Sequence, residues 1–240
     1  MRIGILSDVH ANLPALDAVL TALGEVDALW QLGDVVGYGP HPDEVVERLR
    51  ERGAIGVQGN HDTAALGGGD VEYFNSAARQ ALEWTRERIS SATRAWLAAL
   101  PERRTEGEVT LVHGSPREPI WEYVLTGSVA RASFAAFESS WCLHGHTHIP
   151  AAWILDRGRI SLLEPEPGET LRLEQGRFLV NPGGVGQPRD GDPRASALVH
   201  DTEAGTLTWL RIPYPIAEVQ AAMRAARLPA ALVARLDRGQ

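Results

Sequence analysis

The chain contains no lysine; all 23 of its basic residues are arginine. That absence excludes Schiff-base chemistry, attachment of pyridoxal phosphate and a Walker-type phosphate loop, each of which needs a lysine amine. Any phosphate chemistry must use metals, arginine, histidine or backbone N–H groups. Cysteine is almost missing too. Cys142, standing alone, can form neither an internal disulfide nor a multi-cysteine zinc or iron–sulfur site, which suits a reducing compartment. No apolar run approaches the roughly 20 residues that span a bilayer. The N-terminal run Met1-Arg2-Ile3-Gly4-Ile5-Leu6-Ser7 meets a carboxylate at Asp8 too early for a secretory signal. A cytoplasmic protein with no membrane partner is expected.

Positive charge is in short supply. The net charge of -8 argues against stable binding of nucleic acid through general phosphate neutralisation. It leaves room for a small nucleotide or phosphate-ester substrate, because bound metal ions supply positive charge locally. A hydrophobic fraction of 44% and a charged fraction of 22% are those of a globular chain. A single domain over residues 1–240 is expected, with a helical tail at about 215–240. Oligomeric state is left open.

Along the first 150 residues a short apolar run, a polar stop and a helical stretch recur. Ile3 to Leu6 ends at Ser7-Asp8, and Asn12 and Pro14 then signal a helix carrying Leu16, Val19, Leu20 and Leu23. Ala28 to Leu32 ends at Gly33-Asp34. A helix from Pro42, with Asp43 and Glu44 in its first turn, carries Val45, Val46 and Leu49 and stops at Gly53. Ala54 to Val57 leads into Gly59-Asn60-His61-Asp62, Val109 to Val112 ends at His113, and Trp141 to Leu143 leads into Gly145-His146-Thr147-His148. One or two helices lie between Asn75 and Leu100, broken near Ser90-Ser91. This alternation is that of βαβ units and a largely parallel sheet. From Ala152 the texture changes to short strands: Ala152 to Leu155, Ile160 to Leu163, Thr170 to Leu173, Arg177 to Val180, Ala197 to Val199 and Thr206 to Ile212. They predict a second, mostly antiparallel sheet packed on the first.

Five apolar runs terminate in Asp, Asn or His, and the C-terminal ends of parallel strands face the ligand crevice. Asp8, His10, Asp34, Asn60, His113, His146 and His148 are therefore expected at one rim. Seven oxygen and nitrogen donors are too many for one zinc ion and suit two ions sharing a bridge. Each histidine taken alone reads better as a structural residue. It is the joint placement that argues for a metal site.

In this arrangement the sequence resembles the calcineurin-like metallophosphoesterase superfamily, in its small bacterial phosphodiesterase-like branch. The segments that carry the resemblance are Asp8-Val9-His10, Gly33-Asp34, Gly59-Asn60-His61-Asp62, His113-Gly114 and Gly145-His146-Thr147-His148, in that order over roughly residues 1–200. The resemblance implies an α/β fold, a four-layer sandwich of two mixed β-sheets flanked by helices. It implies that Asp8, His10, Asp34 and His148 hold one ion, that Asp34, Asn60, His113 and His146 hold the other, and that Asp34 bridges. The ions would be two divalent metals drawn from Mn, Fe, Co, Ni or Zn, a donor set of this kind not choosing among them.

Two carboxylates against two divalent cations leave about two positive charges for a phosphate ester, and ions about 3.5–4 Å apart can hold a hydroxide for in-line attack. His61 is the candidate to stabilise the transition state or protonate the leaving oxygen, with Asp62 orienting its ring and raising its pKa, or else capping the helix that follows. Asn181-Pro182-Gly183-Gly184-Val185-Gly186 is a glycine-rich turn that related bacterial phosphoesterases resemble, usually with Ser in place of Gly184. Arg189 and Arg194, just beyond it, and Tyr38, just beyond Asp34, are candidate substrate contacts. His41, His144 and His200 lie outside the matched positions, and Cys142 reads as a small buried apolar residue. The expected activity is metal-dependent hydrolysis of phosphate esters, phosphodiesters or nucleotides ahead of phosphoproteins. A dinucleoside polyphosphate hydrolase is the alternative within the same chemistry, and a non-catalytic metal-binding scaffold the alternative outside it.

Overall fold

We describe the protein from a computed structural model covering residues 1–69 and 71–240. The chain opens with β1 (Arg2–Leu6), buried at every position after Arg2, and turns into α1 (Leu13–Leu23). The Asn12 side chain accepts from the Ala15 amide at 3.2 Å and Pro14 lies in the first turn, so this helix starts where the sequence signals it. It buries Leu16, Val19, Leu20 and Leu23 on one face, each contributing about 1.5–3 kcal/mol. β2 (Ala28–Gln31), α2 (Pro42–Glu51) and β3 (Ile55–Gly56) follow. In α2, Asp43 and Glu44 stand at the positive end of the helix dipole and Arg48 and Arg50 at the negative end.

α3 (Asn60–Ala65) is followed by α4 (Ser76–Arg88) and α5 (Ser91–Ala98). The expected break between the last two falls at Ile89, whose backbone is extended, and at Ser90, whose side chain accepts from the Thr93 amide at 3.1 Å. Next come β4 (Arg103–Glu106), β5 (Val109–Val112), α6 (Gly127–Ser133) and β6 (Trp141–Leu143). β7 (Ala151–Asp156), β8 (Arg159–Leu163), β9 (Thr170–Arg172), β10 (Arg177–Asn181), β11 (Ala195–Asp201) and β12 (Thr206–Ile212) lead to the tail helices α7 (Ile216–Ala225) and α8 (Ala230–Arg235).

The strands form two six-stranded mixed sheets. One has the order β3-β2-β1-β11-β12-β9, with β1, β2 and β3 parallel and the rest antiparallel. The other has the order β4-β5-β6-β10-β7-β8, with β5, β6 and β10 parallel. Ile5, Trp30 and Leu198 of the first sheet meet Leu111, Leu143, Phe178 and Val180 of the second in the central core. The first sheet's outer face is covered by α1, α2 and the tail helices, and the second sheet's by the segment of Ala130, Phe134 and Phe137. That is the four-layer α/β sandwich expected.

One expectation is corrected. The change of texture near Ala152 is not the border between the sheets: β5 and β6 join β7, β8 and β10, while β9, β11 and β12 extend the first sheet. The reason lies in β1, which is buried on both faces and cannot form a sheet edge; β2 covers one side and β11 the other. β4 has no apolar signature because it is an edge strand of alternating exposed and half-buried polar residues.

Candidate metal centre

The C-terminal ends of β1, β2, β3, β5 and β6 all deliver polar side chains to one rim, from both sheets. The backbone there is unusual. Asp8, His10, Asp34, His146 and His148 all have φ between 48° and 67°, the left-handed region that non-glycine residues seldom occupy. Surrounding hydrogen bonds hold that strain. The Asp8 amide donates to Gly33 O at 3.1 Å, the His10 amide to Asp34 O at 2.9 Å, and the Gly145 amide to His113 O at 2.8 Å. The glycine-rich turn braces the rim from behind. Val185 and Gly186 donate to the carbonyls of Ser7 and Asp8 at 2.9 Å, and the Asn181 amide donates to Gly145 O at 2.7 Å.

The same backbone aims the carboxylates. Asp34 Oδ1 accepts from the His61 amide at 2.8 Å, which turns Oδ2 toward His10 Nε2 at 3.5 Å and His113 Nε2 at 3.4 Å. Asp8 Oδ2 accepts from the His146 amide at 3.1 Å, leaving Oδ1 buried, without a hydrogen bond and 3.2 Å from His148 Nε2. Two ligand groups result, Asp8 with His10, Asp34 and His148, and Asp34 with His113 and His146. Asn60 joins the second, its Oδ1 3.0 Å from His113 Nε2.

Each histidine is anchored by its far nitrogen to a backbone carbonyl: His10 Nδ1 to Val36 at 3.2 Å, His113 Nδ1 to Leu32 at 2.8 Å, His146 Nε2 to Trp121 at 3.1 Å and His148 Nδ1 to Gln187 at 2.5 Å. A carbonyl only accepts, so the far nitrogen carries a proton and, in a neutral ring, the inward nitrogen presents a lone pair. Burial pushes the pKa of His10, His146 and His148 well below the usual value, so these rings are neutral. The lone pairs of His10 and His148 then face each other at 3.3 Å, while His113 Nε2, which holds a proton until a cation replaces it, faces the lone pair of His146 at 3.1 Å. The first pair is unstable alone, and both are correct for a cation. The donor set fits divalent metals that take imidazole and carboxylate together.

Charge in the centre follows the same logic. Burial would raise Asp34, but His113 above all, then His61 and His10, draws it well below the carboxylate range. Burial would lower His113, but the Asp34 carboxylate lifts it to about 9; a cation beside both would replace that proton. Burial raises Asp8 to about 6.

His61 lines the cleft in front of this centre, its ring 4.3 Å from that of Tyr38 and 4.7 Å from that of Phe74. Its Nδ1 is buried and unpartnered. Of the two readings of Asp62, the structure shows the cap of α3 and not an orienting partner of His61. Both Asp62 oxygens accept backbone N–H groups, from Val36 and Gly59 at 3.0 Å each, and the His61 pKa is lowered by burial to about 4 rather than raised. Arg189 and Tyr38 line the cleft, with the guanidinium carbon 5.9 Å from the Tyr38 ring centre. Arg194 does not. It lies in a separate depression with Arg211 and Asp190, and its Nε and Nη2 grip Asp192 at 3.0 and 2.6 Å. His144 points away from the rim, toward the Asn181 amide at 3.3 Å.

Several cleft residues carried no motif. Tyr123 stacks on His146 at 3.8 Å and 18°, and Trp121, Tyr73, Phe74 and Arg235 complete the walls. Aromatics in loops look like packing residues in a sequence, and Arg235 is one of many arginines on helices. No local signal separates it.

The chain matches the family described as the calcineurin-like phosphoesterase superfamily domain over residues 1–205. A metallophosphoesterase of Sphaerobacter thermophilus superposes with a TM-score of 0.93 at 47% identity, over 100% of this chain and 99% of that one. MJ0912 of Methanocaldococcus jannaschii, itself uncharacterised, is 35% identical over 99% of this chain and 98% of its own length. The phosphodiesterase YfcE of Escherichia coli is 26% identical over 83% of this chain and 87% of its own.

Proposed function

Since the chain belongs to the calcineurin-like phosphoesterase superfamily, we propose that it hydrolyses phosphate esters, phosphodiesters and nucleotides foremost, with a pair of divalent cations. The observation that carries this reading is Asp34 Oδ2, a carboxylate oxygen within 3.5 Å of a histidine from each ligand group. Bound cations supply Lewis acidity and lower the pKa of water toward neutrality.

The protein's own residues do the rest. Asp8, His10, Asp34 and His148 form one cradle and Asp34, Asn60, His113 and His146 the other. The carbonyls behind the four rings keep each lone pair aimed inward, so no reorientation is needed when substrate arrives. Arg189 brings a permanent positive charge into the cleft for the non-bridging phosphoryl oxygens. His61 is neutral at pH 7, so its part is to donate a hydrogen bond to the phosphoryl or leaving oxygen rather than to stand by as an imidazolium. Tyr38 packs against that ring and sets its tilt. Asp62 contributes by fixing the loop that carries Asn60 and His61. The net charge of -8 favours small esters over polymeric nucleic acid, and the single buried Cys142 accords with a cytoplasmic setting.

The test is a substrate panel on apoprotein reconstituted in turn with Mn, Fe, Co, Ni and Zn. We expect hydrolysis of bis-p-nitrophenyl phosphate only after reconstitution, with about two ions per chain at saturation and on the order of a 100-fold loss in Asp34→Asn. Tight metal binding without hydrolysis of any ester would favour the scaffold. Saturation at a single ion would reject the pair.

A further inference from the structure

The cleft in front of the metal centre measures about 650 Å³, more than one phosphoryl group fills. Besides Glu118, which accepts the Trp121 amide, and Glu122, which pairs with Arg117, its lining has an aromatic and a cationic wall. One wall is aromatic. Phe74 and Trp121 meet at 5.9 Å and 78°, and Tyr73 beside them is 79% exposed. Phe74 is buried, so Tyr73 and half-buried Trp121 offer the ring faces on which a planar base stacks.

The other wall is cationic and comes from two distant parts of the chain. Arg189 follows the glycine-rich turn. Arg235 ends α8, in the tail outside residues 1–205 that match the family. α8 is firmly seated: Leu232, Val233 and Leu236 are buried, and Gln220 Nε2 donates to Val233 O at 3.0 Å. Two guanidinium groups in one cleft repel each other, and among the described residues no carboxylate forms an ion pair with either. Arg189 Nη2 donates to Gln187 Oε1 at 3.2 Å, its guanidinium also hydrogen-bonds the Tyr123 hydroxyl, and its Nε is buried without a partner. Burial, then Arg189 itself, lowers the pKa of Arg235. One such cation suffices for the oxygens of the phosphate under attack. A second, left unpaired at a cost in self-repulsion, matches negative charge elsewhere on the ligand.

We propose that Arg235, acting with Arg189, binds a second, non-scissile phosphate, and that the substrates of this cleft are nucleoside polyphosphates whose base lies on the rings of Tyr73 and Trp121. This rests on the phosphoesterase reading and narrows it to a substrate class. The tail is then part of the substrate site, so a family domain ending near residue 205 would lack one of its anion contacts.

The experiment is calorimetric titration of the metal-loaded full chain with adenosine monophosphate and with α,β-methylene adenosine diphosphate, whose phosphates cannot be split from one another. The unaltered protein should bind the diphosphate analogue more tightly. Arg235→Gln should erase about tenfold of that preference, and Arg235→Lys should restore most of it. Equal binding of the two ligands by the unaltered protein, or an equal change for both in Arg235→Gln, would overturn the proposal. Hydrolysis of bis-p-nitrophenyl phosphate by the unaltered protein reports on the phosphoesterase reading separately, since that ester has one phosphate.

Discussion

Asp62 accepts the amides of Gly59 and Val36, so its carboxylate ties the start of α3 to the loop after β2. Both loops carry proposed metal ligands, Asn60 on one and Asp34 on the other. Burial raises the pKa of Asp62 to about 7, a cost that the two amide hydrogen bonds offset in part. Asp62→Ala leaves both buried N–H groups unsatisfied, at about 1–3 kcal/mol each. Denaturant unfolding should therefore show a loss of about 2–6 kcal/mol, with weaker metal retention following from the loosened loops. An orienting partner of His61 would behave differently, lowering kcat with stability intact. That second outcome would sink the structural role assigned here.

At the scale of elements, the centre exists because five strands stop at the same level and each is followed by a turn tight enough to bring backbone against backbone. Gly33 shows the tolerance involved. Its φ is 88°, and a Cβ there would lie 2.7 Å from Gly59 N and 2.9 Å from His113 Nδ1. Gly33→Ala must push β3's loop and the His113 ring apart, so metal affinity measured by chelator competition should fall about 10–100-fold. Unchanged affinity would mean the two loops can separate without disturbing the ligands. This part of the fold was legible in the chain: apolar runs ending in Asp, Asn or His mark strand ends, and Asn12, Pro42 and Ser90 mark helix starts. Partner choice was not. Which sheet a strand joins depends on pairing across distant segments, as β11 beside β1 shows, and no local pattern encodes it. The two readings of Asp62 could not be separated for a related reason: neighbours on a helix's first turn point to different surroundings, and Asp62 turns to the cap. Arg235 was invisible because its place in the cleft comes from how α8 docks.

Over the whole molecule, the centre joins the two sheets. Asp8, His10, Asp34 and Asn60 follow strands of one sheet, and His113, His146 and His148 follow strands of the other. Without a cation, the lone pairs of His10 and His148 repel across the rim at 3.3 Å, while protonated His113 beside Asp34 and the central core around Ile5, Leu111 and Phe178 hold the sheets together. The chain should therefore fold without metal and gain stability from it by mass action. A site occupied at 100 times its Kd contributes about 2.7 kcal/mol. For a chain of this size each kcal/mol moves the melting midpoint by about 2–4 °C, so chelation should lower Tm by roughly 5–10 °C per site. Asp34→Asn, which weakens the oxygen common to both ligand groups, should shrink the chelator-induced shift along with metal content. A wild-type Tm indifferent to chelation, in protein shown to carry metal beforehand, would mean the ions do not bridge the sheets.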